Sequence, residues 1–134
     1  MGINFLDINN KSNLVYISNS IVNSIFRLAT EASPKEICGL LGEVSNKIEI
    51  YFPVSNISST NTKFEMDPLE LLNTHYSIDS SKYSLGGIYH SHPSGPNKLS
   101  PTDIQETTIF SIPHFVISLN NRNFNLSSFV ISEN

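Results

Sequence analysis

Only one of the 134 residues is a cysteine, Cys38, so an internal disulfide is impossible and a cysteine-rich structural zinc site is excluded. A reducing compartment is therefore compatible with the chain. Basic residues are scarce as well: 8 Lys and Arg stand against 12 Asp and Glu, a formal charge of −4. They form no cluster. This argues against binding a nucleic-acid backbone, which needs a concentrated positive face, and equally against an acidic partner. No stretch approaches the ~20 apolar residues of a membrane span. Residues 1–13 lack both the basic start and the apolar core of a secretory signal. The expected location is the cytoplasm, with no membrane contact. What is present is ordinary for a globular protein, 39% hydrophobic and 15% charged residues. The length suits a single domain over 1–134, able to bury about two-thirds of its unfolded surface in one core.

Periodicity divides the chain into strands and helices. Leu14 to Ile17 reads as a short strand, and Ser18 to Ser20 offer capping hydroxyls to a helix whose stripe is Ile21, Ile25, Leu28 and Ala29. That helix should end near Ser33-Pro34. Glu36 to Gly42 is an apolar run headed by one carboxylate, short enough to be a strand buried on both faces. A turn at Ser45-Asn46 leads to the alternating strand Lys47 to Val54, then to a polar loop over 55–63. Asp67-Pro68 reads as an N-cap with proline at the first helical position, and Leu69, Leu72 and Tyr76 as the buried face of the helix that follows. Tyr83 to His92 reads as a strand whose Gly86-Gly87 marks a bulge or a close backbone approach. Ser100-Pro101-Thr102-Asp103 begins a third helix, running to about Ser111. His114 to Leu119 and Phe124 to Ile131 read as a closing hairpin.

The chemistry concentrates at the end of the strand 83–92. His90 and His92 are two apart, so both imidazoles leave one face and converge, while Ser91 points the other way. Asp103 lies in the first turn of the third helix, where its carboxylate can turn toward the strand mouth. Two imidazoles and one carboxylate suit zinc and leave a fourth tetrahedral position for water, which distinguishes a catalytic site from a closed one. Such a metal acidifies water and polarises a carbonyl, and a nearby carboxylate moves the proton to the leaving amine. Glu36 is the candidate for that acid/base, because a charge at the edge of an apolar strand needs solvent or a partner. Ser100 is placed to steady the oxyanion. Each signal has a plainer explanation: two strand histidines as exposed polar residues, and the Ser100 to Asp103 run as a capping box. Cap and site are compatible, since a rigid helix end holds a ligand in fixed geometry. Cys38 reads as a small buried hydrophobe. His75 and His114 have no partners at ligand spacing and read as ordinary histidines.

Glu36, then His90-x-His92, seven residues, and Ser100-x-x-Asp103 resemble the motif of the JAMM (MPN+) zinc metallopeptidases at every defined position. The surroundings are similar to the small prokaryotic members: Pro34-x-Glu36-x-Cys38-Gly39-Leu40-Leu41-Gly42, Asn56, Phe64-x-Met66-x-Pro68 and Gly87-x-x-His90-Ser91-His92-Pro93. The resemblance covers about residues 14–119. It implies a cytidine-deaminase-like α/β sandwich, with a mixed central sheet and flanking helices. In it His90, His92 and Asp103 hold one zinc ion, Glu36 is the acid/base and Ser100 steadies the intermediate. It also implies a substrate: the peptide or isopeptide bond after the C-terminal Gly-Gly of a ubiquitin-like or sulfur-carrier protein. Two other expectations compete. A non-catalytic scaffold of the MPN type would lack ligands that are all present here. A RadC-like, DNA-repair-associated domain shares the His-x-His-Pro-Ser-Gly and Ser-x-x-Asp spacing. The acidic balance and the Glu-x-Cys-Gly-Leu-Leu-Gly strand oppose it.

Overall fold

Two short segments rich in apolar residues and glycine, 38–44 and 84–92, form the middle of a sheet around which everything else is arranged. The computed structural model describes residues 2–6, 12–94, 112–119 and 125–131, with side chains over 16–94 and 113–119. Along the chain come β1 (Gly2–Leu6), β2 (Ser12–Ile17), α1 (Asn19–Ala32), β3 (Cys38–Val44) and β4 (Lys47–Val54). They are followed by α2 (Pro68–Asp79), β5 (Ser84–His92), β6 (Ile112–Ser118) and β7 (Asn125–Ile131). The third helix expected from Ser100 to Ser111 falls outside the described residues. β1 lies in a stretch for which the sequence pattern predicts no strand or helix.

The seven strands among the described residues join one mixed sheet in the order β1-β2-β4-β3-β5-β6-β7. β2 with β4 and β5 with β6 run parallel, and the remaining pairs are antiparallel. β1 and β7, at the two ends of this order, approach one another, so the sheet curls. Among the described residues no helix is long and apolar enough to cross a membrane.

α1 begins where Ser18 accepts a hydrogen bond from the Ile21 N–H at 3.3 Å, satisfying one orphan donor of the first turn. Its buried stripe, Val22, Ile25 and Ala29, has helical spacing. Val22 and Ile25 pack with Ile17, Leu41, Ile48, Tyr89, Phe115 and Ile117. A second cluster joins Leu40, Ile78 and Ile88, with Phe52, Met66, Leu71 and Leu85 against it. Leu40 and Leu41 are neighbours on one strand and point to opposite faces. The two helices therefore cover opposite faces of the sheet, an α/β sandwich as expected.

The face of α2 differs from expectation. Leu69, Leu72 and Tyr76 are 66%, 48% and 63% exposed, while Leu71 and Ile78, two turns apart, meet the sheet. Apolar residues lie around much of this helix, so its pattern cannot set its rotation. Its anchors can. Asp67 Oδ1 accepts from the Leu69 and Glu70 N–H groups at 2.9 and 3.1 Å, and the Glu70 carboxylate accepts from the Ser55 N–H at 3.1 Å. These bonds tie the first turn to the end of β4.

Two glycines of the central strands are required by close approach. A Cβ at Gly39 would lie 2.4 Å from both the Phe52 carbonyl oxygen and the end of the Tyr89 ring. At Gly86 the pairing skips a residue, since Leu41 faces Gly87 while Gly42 faces Leu85, and a Cβ there would lie 2.6 Å from Glu43 Cβ.

The Tyr89 ring that crosses Gly39 is 1% exposed, and its buried hydroxyl has no hydrogen-bond partner among the described residues. Burial pushes this phenol well above its ordinary range, with Cys38 and then Tyr51 adding to the effect. A desolvated, unmade hydrogen bond costs stability. Tyr89→Phe keeps the ring and removes that cost, so its melting temperature is expected to equal or exceed that of the natural chain. A clear fall in a thermal melt would show that the hydroxyl has a partner in solution.

Candidate active site

His90 and His92 stand on one face of β5, held between β3 and β6. They are 0% and 7% exposed, and their Nε2 atoms lie 3.0 Å apart. Two imidazoles each ~2.0–2.1 Å from a tetrahedral zinc would place these nitrogens about 3.3 Å apart. The observed spacing is within a few tenths of an ångström of that requirement. Glu36, 5% exposed, completes a group whose three potential ligand atoms all lie within 4.8 Å of one another. Two imidazoles and a carboxylate form a donor set suited to a borderline-soft divalent ion such as zinc.

Sequence reading placed Glu36 at the start of a strand, but β3 begins at Cys38, two residues later. The backbone around Glu36 is nevertheless fixed. The Ser91 hydroxyl accepts from the Ile37 N–H at 2.9 Å, and the Ser91 N–H donates to the Ile37 carbonyl at 3.0 Å. Cys38 faces His90 in the β3–β5 ladder, so continuing that register by two residues brings Glu36 opposite His92. The residue between the two histidines thus uses the other face of β5 to hold the segment carrying the carboxylate.

Asn56 holds Glu36 from the second side. Its amide nitrogen donates to the Glu36 carbonyl at 2.9 Å and to the Lys63 carbonyl at 3.4 Å. Its amide oxygen accepts from the Ser58 and Glu65 N–H groups, each at 3.0 Å. One side chain therefore folds the loop expected over 55–63 and docks it on the backbone of Glu36. Asn56→Ala is expected to destabilise the chain by about 1–3 kcal/mol, the range for leaving buried backbone groups unmade. It should also lower turnover at unchanged zinc content. Denaturant titration and metal analysis check both parts.

That loop delivers Phe64, whose ring stacks on His90 at 4.5 Å between centroids and meets His114 edge-on at 6.1 Å. His114 itself is a correction. Expected as an ordinary polar or half-buried histidine with no partner at ligand spacing, it is 2% exposed, with Nε2 2.9 Å from Nδ1 of His90. The parallel β5–β6 register sets Ile88 beside His114 and His90 beside Val116, so all four share a face. The spacing of 24 residues between the histidines hides this until strand order is known. Ser100 and Asp103 lie outside the described residues.

Cys38 is 1% exposed and donates its thiol to the Val54 carbonyl at 3.3 Å, in keeping with a small buried residue. Burial first, then the charges of Glu36 and Glu70, push its pKa from an ordinary value of 9.0 up to about 12. The native state thus favours the protonated thiol, a contribution to stability fully present below pH 9 and lost as pH rises toward 12. At pH 8 the folded chain is expected to resist iodoacetamide and to take up one equivalent once denatured. Labelling of the folded chain at the rate of a free thiol would contradict this burial.

Residues 18–131 match the family model described as prokaryotic homologs of the JAB domain. The chain belongs to this family, and within it is an enzyme of the JAMM peptidase type. It is 31% identical over 104 residues to the "Probable TtuB-protein conjugate cleaving protease" of Thermus thermophilus, covering 77% of this chain and 69% of that one. It is 34% identical over 73 residues to the "Desampylase" of Haloferax volcanii, covering 52% of each. A solution structure of a protein from Desulfitobacterium hafniense superimposes with a TM-score of 0.79 at 27% identity, covering 89% of this chain and 85% of that one.

Proposed function

We propose that the chain is a zinc-dependent peptidase that hydrolyses the peptide or isopeptide bond after the C-terminal Gly-Gly of a ubiquitin-like or sulfur-carrier protein. The observation that carries this reading is the buried meeting of Glu36, His90 and His92 within 4.8 Å. The names of the Thermus and Haloferax relatives, one a protein-conjugate protease and the other a desampylase, support the substrate class. His90, His92 and Asp103 would hold the ion. When bound, zinc supplies an acidified water and polarises the scissile carbonyl. The Glu36 carboxylate would accept a proton from the attacking water and pass it to the departing amine. Its burial at 5% exposure keeps the carboxylate in a water-poor setting where proton transfer is directed. Ser100 donates its hydroxyl to the developing oxyanion. The backbone bonds from Ser91 and Asn56 hold Glu36 in place through the cycle.

The test is to incubate the zinc-loaded chain with small Gly-Gly-tailed carrier proteins extended at the C-terminus and to follow cleavage by mass. The expected result is a cut directly after Gly-Gly that disappears on chelation and returns with zinc. Cleavage that persists without metal, or no cleavage of any Gly-Gly-tailed carrier, would refute the reading.

A further inference from the structure

We propose that a cavity bordered by Glu36, between the end of α1 and the ends of β3 and β4, is a specificity pocket for an apolar side chain in the tail of the carrier protein. The inference rests on the substrate reading given above and names what that substrate carries upstream of Gly-Gly. The cavity measures about 540 Å³, within the range of pockets that enclose ligands, roughly 300–1,000 Å³. Leu28 and Ala32 of α1, Ile37, and Pro53 and Val54 of β4 make its lining apolar. Glu31 and Lys35 stand exposed at its edge with opposite charges, so the cavity selects by apolarity and not by charge.

Two observations make the occupant a polypeptide engaged at the catalytic group. Glu36 lines the cavity and also belongs to the group whose ligand atoms lie within 4.8 Å of one another, so a chain held at that group has its neighbouring residues beside the cavity. Tyr89 forms the inner wall. Its ring crosses β3 at Gly39 toward the Phe52 carbonyl of β4, whose next two residues line the cavity. The Tyr89 hydroxyl is buried with no partner among the described residues, a donor left over for a backbone carbonyl of an entering chain. The unmade bond costs stability in the empty protein, and an acceptor brought by the substrate offsets that cost. The side chain comes from the carrier side of the scissile bond. The protein attached beyond Gly-Gly changes from one conjugate to the next, whereas the tail is the same in each, so only the tail fills a fixed pocket in every substrate. An extended chain advances about 3.3 Å per residue, which puts the first two residues upstream of Gly-Gly roughly 7–13 Å from the bond. That reach suits a cavity bordered by Glu36.

The experiment measures kcat/KM of the zinc-loaded natural chain on one Gly-Gly-tailed carrier, extended at the C-terminus, whose two residues before Gly-Gly are set in turn to leucine, glycine and aspartate. The expected result is a preference for leucine over glycine at one of the two positions of about 10–200-fold, the range for one apolar group in such a pocket, with aspartate no better than glycine. A32F, which fills the cavity from the last residue of α1, should bring that preference close to unity. Y89F should melt no lower than the natural chain and lose about 2–10-fold on the leucine carrier, the range of one net hydrogen bond. Equal rates on the leucine and glycine carriers at both positions overturn the proposal and leave the zinc reading standing. So does an A32F that melts normally and keeps the full preference, or a Y89F as fast as the natural chain. The carrier series uses the natural chain alone and decides the matter if A32F does not fold. No cleavage of any Gly-Gly-tailed carrier overturns this inference together with the substrate reading, and so is distinguishable from the other outcomes.

Discussion

Glu36→Gln is expected to bind zinc as the natural chain does and to turn over about 10²–10⁴ times more slowly, the range for removing a general acid/base. The substitution keeps shape and hydrogen-bonding reach but cannot take up a proton at working pH. The segment should keep its place, because the bonds from Ser91 and Asn56 reach backbone groups that the substitution leaves intact: Ser91 binds the backbone of Ile37, and Asn56 binds the carbonyl of Glu36. Metal analysis, a melting curve and the cleavage assay by mass give the three readouts. An undiminished rate would remove Glu36 from the chemistry. A loss of zinc equal to the loss of rate would instead make it a ligand.

The second large effect is at His92, the last residue of β5. His92→Ala takes away one of two imidazoles whose Nε2 atoms are 3.0 Å apart. Zinc affinity should fall beyond the ~10–100-fold typical of losing an orienting partner, and activity with it. On the proposed reading, zinc added to the natural chain should stabilise it by mass action, because the folded state would hold the ion and the unfolded chain would do so poorly. The expected signature of the variant is a melting temperature that no longer rises with zinc. Its zinc-free melt should fall, since the truncation opens a cavity at a buried position and removes the 3.0 Å contact with His90, so the zinc-dependent rise rather than the absolute melt carries the test. A zinc-dependent rise equal to that of the natural chain would rule His92 out as a ligand.

Local chemistry made much of this protein legible. The Ser18 cap, the Asp67-Pro68 start, the hairpin about Ser45-Asn46 and the strand with His90 and His92 on one face all follow from rules spanning a few residues. So does the meeting of the two histidines. The approach of Glu36 follows only from resemblance until strands β3 and β5 are known to be neighbours. Three features escaped for the same reason. The rotation of α2 is set by Asp67 and Glu70 anchors rather than by a one-sided apolar pattern. Asn56 acts through backbone groups up to 20 residues away. His114 meets His90 only because β6 lies parallel to β5, and a single chain of letters carries no record of strand order.

Ser91 has a mechanical consequence. His90 and His92 leave one side of β5, while the serine between them grips the backbone next to Glu36 from the other side with a bond at 2.9 Å. The two halves of the proposed centre therefore share one short, rigid piece of strand. Bending that enters through the outer strands of the curled sheet reaches the histidines and the carboxylate as a common displacement, leaving the separation between them unchanged. The site can drift within the molecule without losing its shape, as a preorganised centre requires.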